Sequence, residues 1–458
     1  MMTLAEAARA LGATVVGSDT RFGSVSTDSR NIAAGALFVA LRGERFDGHD
    51  YVGAARESGA AAAMVERVAG VSAQAAGMPL LVVGDAKLAL GALARHWRSR
   101  FPIPVVAVVG SNGKTTVKEM VAAALREHFG AERVLATAGN LNNEIGLPLT
   151  VLRLREAHRA AVFELGMNHP GETGYLAGIA QPTIGLINNA QREHQEFMRS
   201  VAEVAAEHGA LLRALPADGV AVLNRDDVHY GYWREIAGSR AVRDFGTSTA
   251  AAVRADYRLG PAGVELELRA NGERSRTTLK VPGLHNVRNA LAATAAALAA
   301  GATLAEAARG LAAFRSVKGR LQVKPGRSGV TLVDDTYNAN PDSVRAAIDV
   351  LAASERPRVL VLGDMGELGE QGVAFHEEIG RYAREAGVDR LLAVGALARH
   401  AARAFGAGGE HFDAVEALIA RAQGLTALKG TMLVKGSRFM RMERVVEHLV
   451  AGEGIDAA

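Results

Sequence analysis

The run Val105–Val109, VVAVV, passes directly into GSNGKTT, and no other stretch constrains the fold so tightly. Five consecutive apolar residues, four of them valine, offer no polar face to water. Such a strand is buried on both sides, as in a parallel sheet covered by helices. Ala161–Leu165, Ile184–Ile187 and Val220–Leu223 are further short apolar runs, separated by helix-length segments. This alternation predicts an α/β fold built on a mostly parallel sheet.

A chain of 458 residues is too long for one hydrophobic core, and three units are expected. Residues 1–84 form a small N-terminal α/β unit, with strand-like Leu37–Leu41 and Ala61–Val65 around a helical Tyr51–Ser58. Residues 85–315 hold the central sheet, entered after Pro102 and Pro104, and a β-hairpin appendage. In the hairpin VELELRA and RSRTTLKV flank Asn271-Gly272, a two-residue turn signal. Residues 316–458 restart the alternation as a C-terminal Rossmann-like α/β domain, read as a second parallel sheet. Its strands are expected at Val330–Val333, Val359–Leu362, Leu391–Val394 and Met432–Val434, with helices after Pro341 and from His376. SVKGR, at Ser316–Arg320, is the expected hinge. The absence of G-x-G-x-x-G leaves a nicotinamide or flavin cofactor unsupported.

A net charge of +3 without any Lys/Arg block gives no case for a nucleic-acid partner. The lack of cysteine excludes disulfides and thiolate-bound metals. MMTLAEAARALG has neither the basic head nor the apolar core of a signal peptide. Ala290–Ala302, mostly alanine with Thr294 and Gly301 inside, reads as a packed helix rather than a membrane span. A cytoplasmic monomer without membrane insertion is the expectation.

Gly113, Lys114 and Thr115 match the second half of G-x-x-x-x-G-K-[ST], but Val108 stands where the first glycine belongs. The loop therefore opens at Gly110, between a buried strand and a helix. Gly110 and Gly113 lack Cβ, so the backbone N–H groups of Ser111, Asn112 and their neighbours can turn toward phosphate oxygens. The helix N-terminus adds partial positive charge. Lys114 would reach the outer phosphates, and Thr115, followed by Thr116, would offer a hydroxyl to Mg²⁺. A plain glycine turn with a surface lysine is the competing reading, and the strand before and helix after weigh against it. Mg²⁺ takes about six ligands. Glu164 at a strand end and His194 after Ile184–Ile187 are the further candidates.

GSNGKTT, ELGMNHPGE (164–172), the histidine of QREHQEF (His194), PGLHNVRNALAA (282–293) and VKGR (317–320) resemble the ATP-dependent Mur ligases. DDTYNANPDS (334–343), GDMGELG (363–369), VKGSRFMRME (434–443) and NNEIGLPLTVL (142–152) narrow the resemblance. They point to the branch that joins D-alanyl-D-alanine to UDP-N-acetylmuramoyl-tripeptide in peptidoglycan precursor synthesis. STDSR (26–30), GALFVAL and FDGHDYV extend it to the front of the chain.

The resemblance implies ATP and Mg²⁺ as cofactors and an acyl-phosphate route to an amide. It implies catalytic roles for Lys114, Glu164, His194 and Arg320, and metal contacts from Thr115, Glu164 and His194. Gly110, Ser111, Asn112, Gly113, Lys114, Thr115 and Thr116 would hold the nucleotide with Asn289, Asp335, Tyr337 and Asn338. Ser29 and Arg30 would contact the uridine diphosphate part, and Lys435 and Arg438 would receive a substrate carboxylate. The nearest rival is a relative adding diaminopimelate or lysine, but its D-N-P-R signature is absent and YNANPDS stands instead. A nucleotide-switch protein with the same loop is the rival from another class.

One departure stands out. Many Mur ligases carry a lysine after the family histidine, whose carbamate places an anion near a second metal. Here SVAEVAAEHGALL puts His208 in that place, and no lysine occurs between Lys118 and Lys280. Either His208 acts near the metal with Glu203 or Glu207 as the negative charge, or it is a solvated helix residue. Both readings expect turnover that does not depend on bicarbonate.

Overall fold

The apolar strand Val105–Val109 is buried along its whole length at the middle of a six-stranded sheet. In a computed structural model that describes residues 1–68 and 77–451, its side chains divide strictly between two cores. Val105, Ala107 and Val109 enter one core, and Val106 and Val108 enter the other. Burying each valine contributes about 1.5–3 kcal/mol, which holds the strand away from any sheet edge.

The sheet order is Ala241–Phe245, Val220–Asn224, Ile184–Ile187, Val105–Val109, Ala160–Glu164, Val134–Ala136, all parallel. From Val105–Val109 the chain first builds one side of the sheet and then crosses to the other. Its carboxyl end is therefore the switch point where open α/β sheets leave a crevice. Helices Ala86–Arg98, Glu172–Ala180 and Val201–Arg213 cover one face. Lys114–Phe129, Leu284–Ala299 and Leu304–Ala313 cover the other. The alanine-rich segment is a core helix as expected, with every residue from Ala290 to Ala297 fully buried. Among the described residues no helix is long and apolar enough to cross a membrane.

The appendage departs from expectation by one strand. Arg254–Gly260 joins Gly263–Ala270 and Glu273–Leu279 in a three-stranded antiparallel sheet. It is mostly exposed and lacks an alternating apolar signal, which is why the sequence pattern hid it. The turn stands as read, with Asn271 at φ 52° and Gly272 at φ 81°, the left-handed pair such hairpins require.

The C-terminal unit has sheet order Gln322–Pro325, Thr331–Asp335, Thr431–Lys435, Arg358–Gly363, Arg390–Val394, Gly409–Phe412. Five strands are parallel; the edge strand Gln322–Pro325 pairs antiparallel, a correction to the all-parallel reading. The N-terminal sheet runs Thr14–Val16, Leu80–Val82, Ala62–Val65, Ala36–Val39, Ser24–Ser26, with only the first strand antiparallel. Residues beyond the carboxyl ends of the inner strands of the central and C-terminal sheets line one shared cavity of about 1000 Å³.

Candidate active site

The loop after Val109 is shaped by two glycines and braced from a neighbouring strand. Gly110 has φ 142°, and a Cβ there would lie 2.9 Å from the Asn188 Cβ. Gly113 has φ 82°, and a Cβ would come within 2.5 Å of the Asn289 Oδ1. No other residue fits either place without moving the brace. The brace is the polar run that follows strand Ile184–Ile187. Asn188 and Asn189 donate through Nδ2 to the Asn112 carbonyl at 2.8 and 3.0 Å. The Asn112 N–H donates to the Asn189 Oδ1 at 2.9 Å, and the Gln191 N–H to the Ser111 Oγ at 2.8 Å. Asn289 lines the cavity, but its amide is used on both sides. Oδ1 accepts from Asn188 and Nδ2 donates to Asn286, so it supports the loop.

Lys114, the first residue of helix Lys114–Phe129, folds back on its own loop. Its Nζ donates to the carbonyls of Gly110 at 2.5 Å and Ser111 at 3.3 Å, and to the Glu193 Oε2 at 3.2 Å. Glu193 is 5% exposed and went unnoticed in the sequence, although it adjoins His194 in QREHQEF. Burial alone would raise its carboxyl; Lys114, His208 and His194 outweigh that and hold it down at about 2. His208 is wholly buried, with Nε2 3.2 Å from the Glu193 Oε1. This corrects the solvated-residue reading. It also corrects the source of the negative charge. Glu207 accepts from the N–H groups of Gly171 and Thr173, and Glu203 from that of Arg199, so neither serves His208.

Glu164 ends strand Ala160–Glu164, beside the loop strand. Its Oε1 accepts from the Asn142 Nδ2 at 2.8 Å, while Oε2 is buried with no protein partner. A carboxylate oxygen left so in a polar cavity calls for a cation. The Thr115 hydroxyl accepts from the Arg320 Nη2 at 2.8 Å, and the Arg320 guanidinium lies 4.1 Å from the Tyr337 ring centre. His194, at φ 49°, turns its Nδ1 to the Glu367 Oε2 at 2.6 Å, across to the C-terminal unit. Among the described residues no three His, Asp or Glu side chains are grouped to hold a metal unaided. One carboxylate and one hydroxyl suit Mg²⁺, which fills most of its shell with water and phosphate oxygens.

The opposite wall comes from the C-terminal unit. Lys435 was expected as a cation for a substrate carboxylate. Instead it is buried, its Nζ bonded to the Asp335 Oδ2 at 2.5 Å and the Asn338 carbonyl at 2.9 Å. Arg438 lines the cavity with 63% of its side chain exposed and is paired with Glu443 at 3.0 Å. Asn340 caps helix Pro341–Ala352 and reaches the loop, its Nδ2 donating to the Asn112 Oδ1 at 3.0 Å. Arg192, also unforeseen, joins the two units through Asp342 and Glu378. Ser111, Asn112, Gly113, Lys114, Thr115, Thr116, Glu164, His194, Asn289, Arg320, Asp335, Tyr337, Asn338, Lys435 and Arg438 all line this cavity. Ser29 and Arg30 do not; the Arg30 guanidinium is exposed on the N-terminal unit and held by Asp28.

Comparison with known proteins matches three stretches of the chain. Family models match at residues 21–98 (Mur ligase family, catalytic domain), 108–297 (Mur ligase middle domain) and 319–438 (Mur ligase, glutamate ligase domain). The UDP-N-acetylmuramoyl-tripeptide–D-alanyl-D-alanine ligase of Escherichia coli is 41% identical over 98% of both chains. The enzyme of the same name from Bacillus subtilis is 34% identical over 93% of both. Among solved structures, MurF from Acinetobacter baumannii superposes with a TM-score of 0.90 at 34% identity, covering 97% of this chain and 98% of that one. MurF ligase from Thermotoga maritima in complex with ADP gives 0.80 at 28% identity, covering 93% and 96%. A 2,6-diaminopimelate ligase structure gives 0.53 at 18% identity, a likeness of fold alone.

Proposed function

The chain belongs to the Mur ligase family, and from that premise we infer that it is an ATP-dependent ligase joining D-alanyl-D-alanine to UDP-N-acetylmuramoyl-tripeptide. The observation that carries the chemistry is the single cavity with the phosphate loop on one wall and the Asp334–Ser343 segment on the other. Such a cavity brings a nucleotide and two further substrates together while the units around it exclude water.

The reaction follows from the electrophile's weakness. A carboxylate does not accept an amine, so the tripeptide carboxylate attacks the γ-phosphorus of ATP and ADP leaves, giving an acyl phosphate. The dipeptide amine then attacks the acyl carbon, and the tetrahedral intermediate expels phosphate and loses a proton to give the amide. Carboxylate and triphosphate repel each other, so positive charge at their meeting point lowers the barrier. Lys114 and Arg320 supply it in this reading, with the loop N–H groups of Ser111 to Thr116 around the phosphates. Glu164 and Thr115 would hold Mg²⁺, with His194 released from Glu367 as a further donor. Bound there, the metal neutralises phosphate charge.

Asp335, Tyr337 and Asn338 serve the nucleotide side through Lys435 and Arg320 rather than as free groups. Arg438 is the freer cation for a substrate carboxylate. Ser29 and Arg30 would meet the uridine diphosphate part on the N-terminal unit, and residues 1–84, 85–315 and 316–458 would act as the three bodies around hinge Ser316–Arg320. The nucleotide substrates and a cavity walled by one chain favour a cytoplasmic monomer. Mass spectrometry of the product tests the reading. The UDP-tripeptide should gain one D-alanyl-D-alanine less one water; addition of a single diaminopimelate or lysine to a UDP-dipeptide would contradict it.

A further inference from the structure

Glu193 is buried among groups that the proposed reaction claims for other purposes. Its Oε2 lies 3.2 Å from the Lys114 Nζ and 3.7 Å from the His194 Nε2, and its Oε1 lies 3.2 Å from the His208 Nε2. Lys114 has three protons, and in this structure all three have acceptors, the Gly110 and Ser111 carbonyls and Glu193. A phosphate gains Lys114 only by displacing some of them. The carbonyls are neutral and lose little, whereas Glu193, itself 5% exposed, loses its lysine and keeps only the imidazoles of His194 and His208 beside it. A buried carboxylate left without a counter-charge is strongly unfavourable.

We propose that Glu193 is a further carboxylate for the metal of this site, neutralised by Lys114 in the arrangement seen here and by Mg²⁺ once phosphates have taken Lys114. His208 is its positioning residue. The imidazole sits on helix Val201–Arg213 with its side chain 1% exposed, and neither ring nitrogen has a hydrogen-bond partner, Nε2 facing the Glu193 Oε1 at 3.2 Å as an ion-pair contact. It touches the one carboxylate oxygen that faces away from Lys114, which leaves the other oxygen directed at the loop and His194. The chain thus carries a fixed anion beside His194 from its own side chain, and needs no lysine on that helix for the purpose. The inference rests on reading the cavity as a site for nucleotide and metal.

Mn²⁺ titration of the ADP complex, followed by electron paramagnetic resonance, separates the two claims. Wild-type protein should bind Mn²⁺ in an ADP-dependent way. Glu193→Gln should weaken that binding roughly tenfold or more, while ADP affinity measured in EDTA does not fall. Glu193→Asp, which keeps the charge, should recover most of the loss. His208→Phe leaves the carboxylate but removes its brace, and should shift Mn²⁺ affinity in the same direction; it carries the test should Glu193→Gln not fold. Mn²⁺ affinity unchanged in these variants overturns the inference, since His208 alone would then balance Glu193. Absence of ADP-dependent Mn²⁺ binding in the wild type overturns the nucleotide–metal reading and this inference together.

Discussion

Arg192→Met should loosen the C-terminal unit from the central one without unfolding either. Arg192 stands just past strand Ile184–Ile187 and reaches two acidic residues of the C-terminal unit. Its Nη2 donates to the Asp342 Oδ1 at 2.6 Å, and its Nη1 to the Glu378 Oε2 at 2.8 Å. The guanidinium also lies 5.1 Å from the Phe375 ring centre. Side-chain exposures of 22%, 21% and 29% put this network between a surface pair, worth about 0–1 kcal/mol, and a buried one, where losing a partner costs about 3–5 kcal/mol. Glu378 keeps Arg345 at 3.0 Å, and the Arg192 backbone N–H still reaches Asp342, so the lower part of that range applies. A loss of about 2 kcal/mol corresponds to a shift of about 30-fold in the joined-to-separated equilibrium. Small-angle X-ray scattering of the nucleotide-free protein reads it as a larger radius of gyration, and turnover should fall with it. Arg192 holds the Glu378 carboxyl below its ordinary value of 4.5. The contribution is therefore complete above that value and fades as pH falls below it, so acid should expand the wild type and alter Arg192→Met less. Identical scattering and turnover in wild type and variant, at neutral and acid pH, would refute the reasoning.

Three further outcomes follow from the site. Lys114→Ala should abolish turnover and also lower the melting temperature, because it takes the lysine from the buried Glu193 carboxylate; steady-state rates and thermal melts check both halves. Arg320→Ala and Asp335→Ala should cut turnover far more than they weaken UDP-tripeptide binding by calorimetry, since both residues belong to the hinge and the C-terminal wall. A selective loss of UDP-tripeptide affinity would contradict their placement. Turnover should not respond to removing or adding bicarbonate at fixed pH, because no lysine lies between Lys118 and Lys280 to form a carbamate. Rescue by bicarbonate after CO₂ depletion would overturn that expectation.

What the sequence could reveal depended on whether a residue's surroundings lie along the chain or across it. VVAVV announces a doubly buried strand because all five side chains are apolar and leave neither face for water, and GSNGKTT follows it at once. Glu164 was legible as a strand-end carboxylate. Glu193 and Arg192 were not, and His208 was marked only by its place in the motif with Glu203 or Glu207 as its expected partner, because each owes its importance to partners brought in by folding. His208 comes from a helix face, and Asp342 and Glu378 from another unit. Lys435 read as a cation for a substrate carboxylate because Asp335 is a hundred positions away and meets it only through parallel pairing of Thr331–Asp335 with Thr431–Lys435. Strand Arg254–Gly260 left no apolar alternation because most of it faces water. Lys118 is fully buried and donates to the Thr137 carbonyl at 2.7 Å, which no charge pattern foretells.

The most direct test of the central claim is phosphate release measured with ATP and Mg²⁺ under four conditions: UDP-N-acetylmuramoyl-tripeptide alone, D-alanyl-D-alanine alone, both, and neither. A ligase that makes an acyl phosphate and passes it to an amine should sustain release only when both are present, with one phosphate per amide formed. An equal rate with neither present would contradict the account and leave a nucleotide-hydrolysing switch in its place.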